Sequence, residues 1–143
     1  MRLIIIINAM KISSTREHLN ASSEKVYNLF VRFLQAETFP SMPQVTNVER
    51  VADGCRFTVG GIATCTLTLL QQIPYSLVSY QLGSDKGISA TASAHIESED
   101  NGCTLQLEMD AEAPFFLQGM LKGMLQNTLD RSMEKIKELA ERM

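Results

Sequence analysis

The chain has 143 residues, of which 45% are hydrophobic and 20% are charged, and it carries a net charge of −3. This length is that of one domain, and the composition is ordinary for a soluble globular protein. Basic and acidic residues alternate in the charged C-terminal segment 134–142, so no positive stripe forms there. We therefore expect no nucleic-acid partner, because neutralising phosphates requires clustered Lys and Arg.

The N-terminal segment 1–9 contains five consecutive apolar residues, Leu3–Ile7. This run is too short to span a membrane or to serve as a signal peptide. It is interpreted either as an extra edge strand or as the result of a translation start placed too early, with Met10 opening the first strand; we prefer the second interpretation. Residues 10–143 are then predicted to form a single domain.

The first elements predicted along the chain are a polar edge strand at residues 11–19 and a short helix. Asn20–Glu24 supplies N-cap oxygens and an acidic first turn for this helix. Its buried face is predicted from apolar residues at helical spacing, namely Val26, Leu29, Phe30, Phe33 and Leu34. Pro40 and Pro43 are expected to lie beyond its end.

Six strands are predicted next, at about 44–51, 55–60, 62–73, 76–84, 88–98 and 103–112, separated by turn signals. Asn101-Gly102 is the strongest of these signals. A two-residue turn there pairs Ile96 with Leu107 and His95 with Glu108, which places all apolar residues on one face. At Gly60-Gly61 a two-residue turn would instead mix apolar and polar residues, so we predict a bulge or a three-residue connection.

Residues 114–143 are predicted to form one uninterrupted helix that begins after Pro114. Its long apolar stripe consists of Leu117, Leu121, Leu125, Leu129, Ser132, Ile136, Leu139 and Met143. A second apolar cluster occurs only in the first half, with Phe116, Met120 and Met124 beside Gly119, Gly123 and Asn127. The order of short helix, strands and long helix indicates an α+β fold in which the long helix covers an antiparallel sheet.

Alternate alanines at positions 90, 92 and 94 are predicted to share the inward face of one strand. Small residues there either leave a cavity or are covered by large neighbours, and the sequence leaves both alternatives open. The candidate lining of a cavity is Phe57, Tyr80, Ala92, Ala94, Leu107, Met109, Phe116, Met120, Met124 and Asn127. Methionines suit such a lining because their side chains adapt to varied shapes.

The sequence offers little for catalysis or metal binding. His18 and His95 are expected to face solvent, and no catalytic triad, zinc pattern or phosphate-binding glycine loop is present. The three cysteines are interpreted as small buried hydrophobes rather than metal ligands, and free thiols favour a cytoplasmic location. We expect neither a metal nor a cofactor.

Three segments resemble the START-like superfamily, also called SRPBCC or helix-grip, and its polyketide cyclase/dehydrase-like branch. They are Ala21–Phe30, Phe57–Gly61 with the following Pro74, and Glu112–Phe116 leading into the last helix. The resemblance implies a seven-stranded antiparallel sheet wrapped around a long C-terminal helix, with a short N-terminal helix after the first strand. It also implies an apolar cavity, because members bind lipids, sterols, quinones or polyketides and some catalyse cyclisation.

The predicted function is binding of a small apolar molecule, such as a lipid, a quinone or a polyketide-like compound, between the sheet and the C-terminal helix. One alternative is an enzyme of the polyketide cyclase/dehydrase type with Tyr80 as the hydroxyl donor. Cyclase branches usually have several polar cavity residues, which are scarce here, so a non-enzymatic role is favoured. Another alternative is a protein-interaction module with a closed core. We expect a monomer or a homodimer without a membrane span.

Overall fold

The computed structural model describes residues 9–33, 45–51, 54–61 and 63–142. Its strands are β1 (Ala9–Ser13), β2 (Glu17–Leu19), β3 (Val45–Val51), β4 (Gly54–Val59), β5 (Ala63–Ile73), β6 (Leu77–Ser84), β7 (Ser89–Glu99) and β8 (Gly102–Glu112). Its helices are α1 (Ser23–Phe33) and α2 (Gln118–Glu141), the second preceded by a 3₁₀ turn at Phe115–Leu117. The predicted strands are therefore present, with ends that differ by one or two residues.

The strands form one antiparallel sheet in the order β1-β8-β7-β6-β5-β4-β3, and β2 also pairs with β8. α1 packs on β6 and β7, whereas α2 packs on β1, β8 and α1. An open antiparallel sheet with a long C-terminal helix and a short helix after the first strand confirms the predicted α+β, helix-grip fold. Within the described ranges the sheet has eight strands rather than seven, because the first predicted strand is split into β1 and β2.

The interruption of the first strand begins at Ser14, which is buried. The backbone N–H of Ser14 donates to the carbonyl of Leu107 at 2.8 Å. The N–H of Leu107 in turn donates to the Ser14 hydroxyl oxygen at 2.9 Å. The side chain thus satisfies a buried backbone donor where the strand leaves the regular ladder.

The β4–β5 hairpin has the three-residue connection that the apolar pattern predicts. Val59 pairs with Ala63, and both Gly60 and Gly61 have positive φ angles, of 60° and 69°. A two-residue turn would have placed Phe57 on the face opposite to its observed partner Cys65. The prediction is confirmed, because the alternation of the two strands fixes the loop length.

The register predicted for the β7–β8 hairpin is wrong by two residues. Glu99 pairs with Gly102 and Ile96 with Leu105, so the two turn residues are Asp100 and Asn101. Gly102 begins β8 with φ 137°, and a Cβ atom there would collide with the carbonyl oxygen of Leu19. The close approach of β2 therefore requires glycine inside the strand, and a shift of two residues leaves every side chain on its predicted face.

α1 begins as the N-cap signal predicts and is joined to the end of α2. The Ser22 hydroxyl oxygen accepts the N–H of Lys25 at 3.2 Å, which caps the first turn. The Lys25 ammonium donates to the carbonyl of Ala140 at 2.6 Å, close to the partial negative charge at the C-terminus of α2. Val26 and Phe30 are buried as predicted, whereas Leu34 and the two prolines lie outside the described residues.

α2 buries the predicted stripe through Leu121, Leu129 and Ile136, together with Met133 and Ala140. All three cysteines are buried, and burial raises the pKa of each thiol. The interpretations of segment 1–9 concern residues outside the described ranges, apart from Ala9, which begins β1. Neither described helix is long and apolar enough to cross a membrane.

Candidate functional site

The inward face of the sheet, toward α1 and α2, is built from rows of paired residues that cross several strands. One row runs Leu69, Tyr80, Ala92, Met109 and Ile12, and the next runs Cys55, Leu67, Leu82, Ala90 and Ala111. In the first row the small Ala92 lies between the larger Tyr80 and Met109, and in the second row the small Ala90 and Ala111 are neighbours. The first row contains no charged residue, and the second reaches one only at the edge of the sheet, where Arg50 on β3 pairs with Cys55.

Part of this inward face is accessible to solvent, although it belongs to central strands. Ala92, Leu82 and Leu69 are only partly buried. By contrast Val78 and Ala94, one row further along, are 0% and 1% exposed. The inward face is thus closed at Ala94 and open around Ala92.

Tyr80 sits beside the open part of the face and is largely buried itself. Its hydroxyl donates a hydrogen bond to the backbone carbonyl of Phe30, in the last turns of α1. Burial raises the pKa of the Tyr80 hydroxyl well above its ordinary value, so the group stays protonated. The side chain therefore links α1 to the sheet, and its proton is already engaged with the protein.

The structure brings six of the ten predicted lining residues to the inward face. Phe57, Leu107, Met109 and Ala94 are buried there, together with Tyr80. Ala92 is partly buried there.

The remaining four predicted lining residues, Phe116, Met120, Met124 and Asn127, are not brought to this cluster, although Met124 is partly buried. Phe116 is 81% exposed and Met120 is 63% exposed, and Asn127 is also exposed. At 3.6 residues per turn, Met120 and Asn127 lie on the side of α2 away from the buried Leu121 and Leu129. The sequence did not show which side of α2 faces the core, because apolar residues occur on two sides of its first half.

Phe115, Phe116 and Met120 instead form an exposed apolar patch at the start of α2; Phe115 is 79% exposed. At Gly119 and Gly123 an added Cβ atom would meet nothing within 4 Å, so the helix surface beside the patch is open. Exposed apolar groups of this size are typical of contact surfaces.

Two accessible lining residues, Leu69 and Leu82, were missed by the sequence reasoning. Leu69 is followed by a register shift between Leu69 and Gln71, which places the extra residue Leu70 at the surface. The bulge explains why simple alternation fails along β5. The signal that could have found Leu82 is its cross-strand pairing with Ala90.

The outward face of the sheet carries the polar groups, including both histidines. His18 Nδ1 lies 2.9 Å from a carboxylate oxygen of Glu99, and His95 Nε2 lies 3.3 Å from one of Glu108. Both histidine side chains are at least 44% exposed, as the sequence predicts. Among the described residues, no group of His, Cys, Asp and Glu has a geometry suited to a metal ion.

Comparison with known proteins places this geometry in a family. Residues 10–141 match the family model described as polyketide cyclase/dehydrase and lipid transport. The fold is similar to a START superfamily protein from Mycobacterium smegmatis, with 16% identity, a TM-score of 0.70, and 92% of this chain and 97% of that one covered. No curated protein sequence matches this chain.

Two plant and bacterial enzymes have a similar fold. Truncated norcoclaurine synthase from Thalictrum flavum gives a TM-score of 0.75 at 13% identity, with 96% of this chain and 97% of that one covered. The Zhui aromatase/cyclase from Streptomyces sp. R1128 gives 0.71 at 15% identity, with 94% and 95% covered. At these identities the likeness concerns the fold alone.

Proposed function

We propose that this chain, which belongs to the polyketide cyclase/dehydrase and lipid transport family, binds a small apolar molecule on the inward face of its sheet. The observation that carries this proposal is the partial exposure of Ala92, a small inward-facing residue in the middle of the sheet. Its pairing partners Tyr80 and Met109 are large and largely buried, so the proposed hollow has these two side chains as walls and Ala92 as its floor.

The proposed lining comprises Phe57, Leu69, Tyr80, Leu82, Ala92, Leu107 and Met109, with Ala94 at its border. Phe116, Met120 and Asn127 are left out of it because they are exposed on another side of the molecule. The thioether of Met109 can adapt to ligands of different shape.

An empty, dry hollow on this face would cost more free energy than one that holds a ligand or water. A ligand site has a volume of at least ~300 Å³, and an empty cavity costs roughly 24 cal/mol per Å³. The product is about 7 kcal/mol, comparable with the ~5–15 kcal/mol that stabilises a small domain. A hollow of this size is therefore expected to hold a ligand or water.

Native mass spectrometry of the purified protein, followed by extraction of co-purified molecules, tests the proposal. We expect a discrete adduct of a drug-like or lipid-like mass. Ala92→Phe should abolish the adduct by filling the hollow. Thr91→Phe, one residue away on the outward face, is the matched control and should retain it. Retention of the adduct in Ala92→Phe would place the ligand elsewhere and contradict the proposal.

The cyclase-type alternative rests on Tyr80 as hydroxyl donor. Its proton is engaged with the Phe30 carbonyl, and burial raises its pKa, so transfer of that proton to a substrate would require breaking the contact with α1. If an aromatic polyketide mimic is turned over, a rate unchanged in Tyr80→Phe would remove this role. The interaction-module alternative would use the exposed patch of Phe115, Phe116 and Met120.

A further inference from the structure

We infer that the molecule bound on the inward face is uncharged, so that neutral compounds such as alcohols, ketones or esters are bound in preference to carboxylates. This inference rests on the proposed function and specifies the ligand class of the same site. The inference follows from the positions of the basic residues relative to the inward face.

Every Lys and Arg except Arg2 lies in the part of the chain that the structure describes. None of these described basic residues is buried, and several are already paired at the surface or between elements. Arg16 pairs with Glu97 on the outward face, Arg56 pairs with Glu49, and Lys137 pairs with Glu17. Lys25 is engaged with the end of α2. Both histidines are also on the outward face.

Arg50 is the described cation that comes closest to the inward face in register, because it pairs with Cys55. It is exposed on β3, the outermost strand. From β3 to β7, where Ala90 and Ala92 lie, are four strand spacings of ~4.8 Å, or about 19 Å along the sheet. No strand therefore places a cation beside a carboxylate seated over Ala92, and Arg32 on α1, the helix that packs on β6 and β7, is exposed.

The absence of a partner cation decides which ligand is favoured. An ionised carboxylate transferred to an apolar site without a partner loses its hydration and instead takes up a proton. A hydroxyl or carbonyl group of the same size pays a much smaller desolvation penalty. The inward rows near Ala92 offer Tyr80 and thiols as polar groups, and burial raises the pKa of all of them, so they are neutral.

The test compares decan-1-ol with decanoate, which share an alkyl chain, by isothermal titration calorimetry between pH 6 and pH 8. We expect decanol to bind with the same affinity throughout and at least tenfold more tightly than decanoate at pH 8. Decanoate affinity should rise about tenfold per pH unit as the pH falls, because the site takes the protonated acid.

The outcomes separate this inference from the proposed function. Binding of neither compound would contradict the proposed function itself. Equal affinities at pH 8, or tighter binding of decanoate, would leave the function standing and overturn the inference. Decanoate binding that is lost in Arg50→Gln would likewise overturn it, since Arg50 would then recognise the carboxylate.

A charge introduced into the site provides an independent test. Ala92→Lys should raise the ratio of decanoate to decanol affinity at pH 8 by at least tenfold. Thr91→Lys, on the outward face beside Asp110, is the matched control and should leave the ratio unchanged. Circular dichroism shows whether each variant folds, and the pH series on the unmodified protein needs no variant. An unchanged ratio in a folded Ala92→Lys variant would contradict the inference.

Discussion

Replacing Ala92 and Ala94 separately by leucine distinguishes an open inward face from a filled one. The two residues lie on the same face of β7, but Ala92 is partly buried whereas Ala94 is 1% exposed. Leucine adds three carbon atoms, each worth about 0.8 kcal/mol when buried. Ala92→Leu can therefore gain up to about 2 kcal/mol by filling the hollow. Ala94→Leu overfills a closed site, at a cost of about 1–3 kcal/mol.

The free energy of unfolding of both variants, measured by urea titration monitored by circular dichroism, gives the comparison. Differences in strand propensity cancel because the substitution and the strand are the same. We expect the Ala92→Leu variant to be more stable than the Ala94→Leu variant by at least about 1 kcal/mol. Equal destabilisation of the two variants would mean that the side chains around Ala92 already fill the space, and the argument for a hollow would fail.

Three further substitutions test other parts of the account. Tyr80→Phe should lower the free energy of unfolding by about 1–3 kcal/mol, because a buried carbonyl loses its donor. Burial raises the pKa of Tyr80, so the stability that its hydroxyl contributes should be present below pH ~10 and lost as the pH rises further. Unfolding titrations at pH 8 and pH 11 would reveal this loss. Phe116→Ser should change stability by less than about 0.5 kcal/mol because the side chain is exposed, whereas Leu121→Ser, as the buried control, should cost several times more in the same urea assay. Hydrogen bonds from Thr104 and then His18 lower the pKa of Glu99, so the stability that the Glu99 carboxylate contributes should be present above pH ~4.3 and lost as the pH falls. Glu99→Gln should therefore reduce the fall in Tm between pH 5 and pH 3. An unchanged fall in Tm would contradict this expectation.

The fold was predictable because local signals agreed with the alternation of apolar residues. The glycines at 60 and 61 and the parity of the flanking strands determined the loop between β4 and β5. The error at β7–β8 arose because Gly102 was interpreted from its neighbour Asn101 alone. Its actual constraint is the backbone of Leu19, which is distant in sequence.

The candidate site was less predictable, because a lining depends on how elements pack together. The inward side chains of β7 and β8 followed from alternation, and Met109 and Leu107 are where the pattern puts them. The orientation of the first half of α2 did not follow, because apolar residues occur on two of its sides. Only its packing against β1, β8 and α1 shows that Leu121 faces the core and Met120 faces solvent.

The central claim is that an apolar molecule binds on the inward face at Ala92, and methyl NMR tests it most directly. Protein with ¹³C-labelled alanine and methionine methyl groups would be titrated with decan-1-ol. The account predicts saturable shifts of the Ala92 and Met109 methyl signals, with little change at Met133, which is buried on α2. Shifts confined to the exposed Met120, or saturable binding that leaves Ala92 and Met109 unmoved, would contradict it.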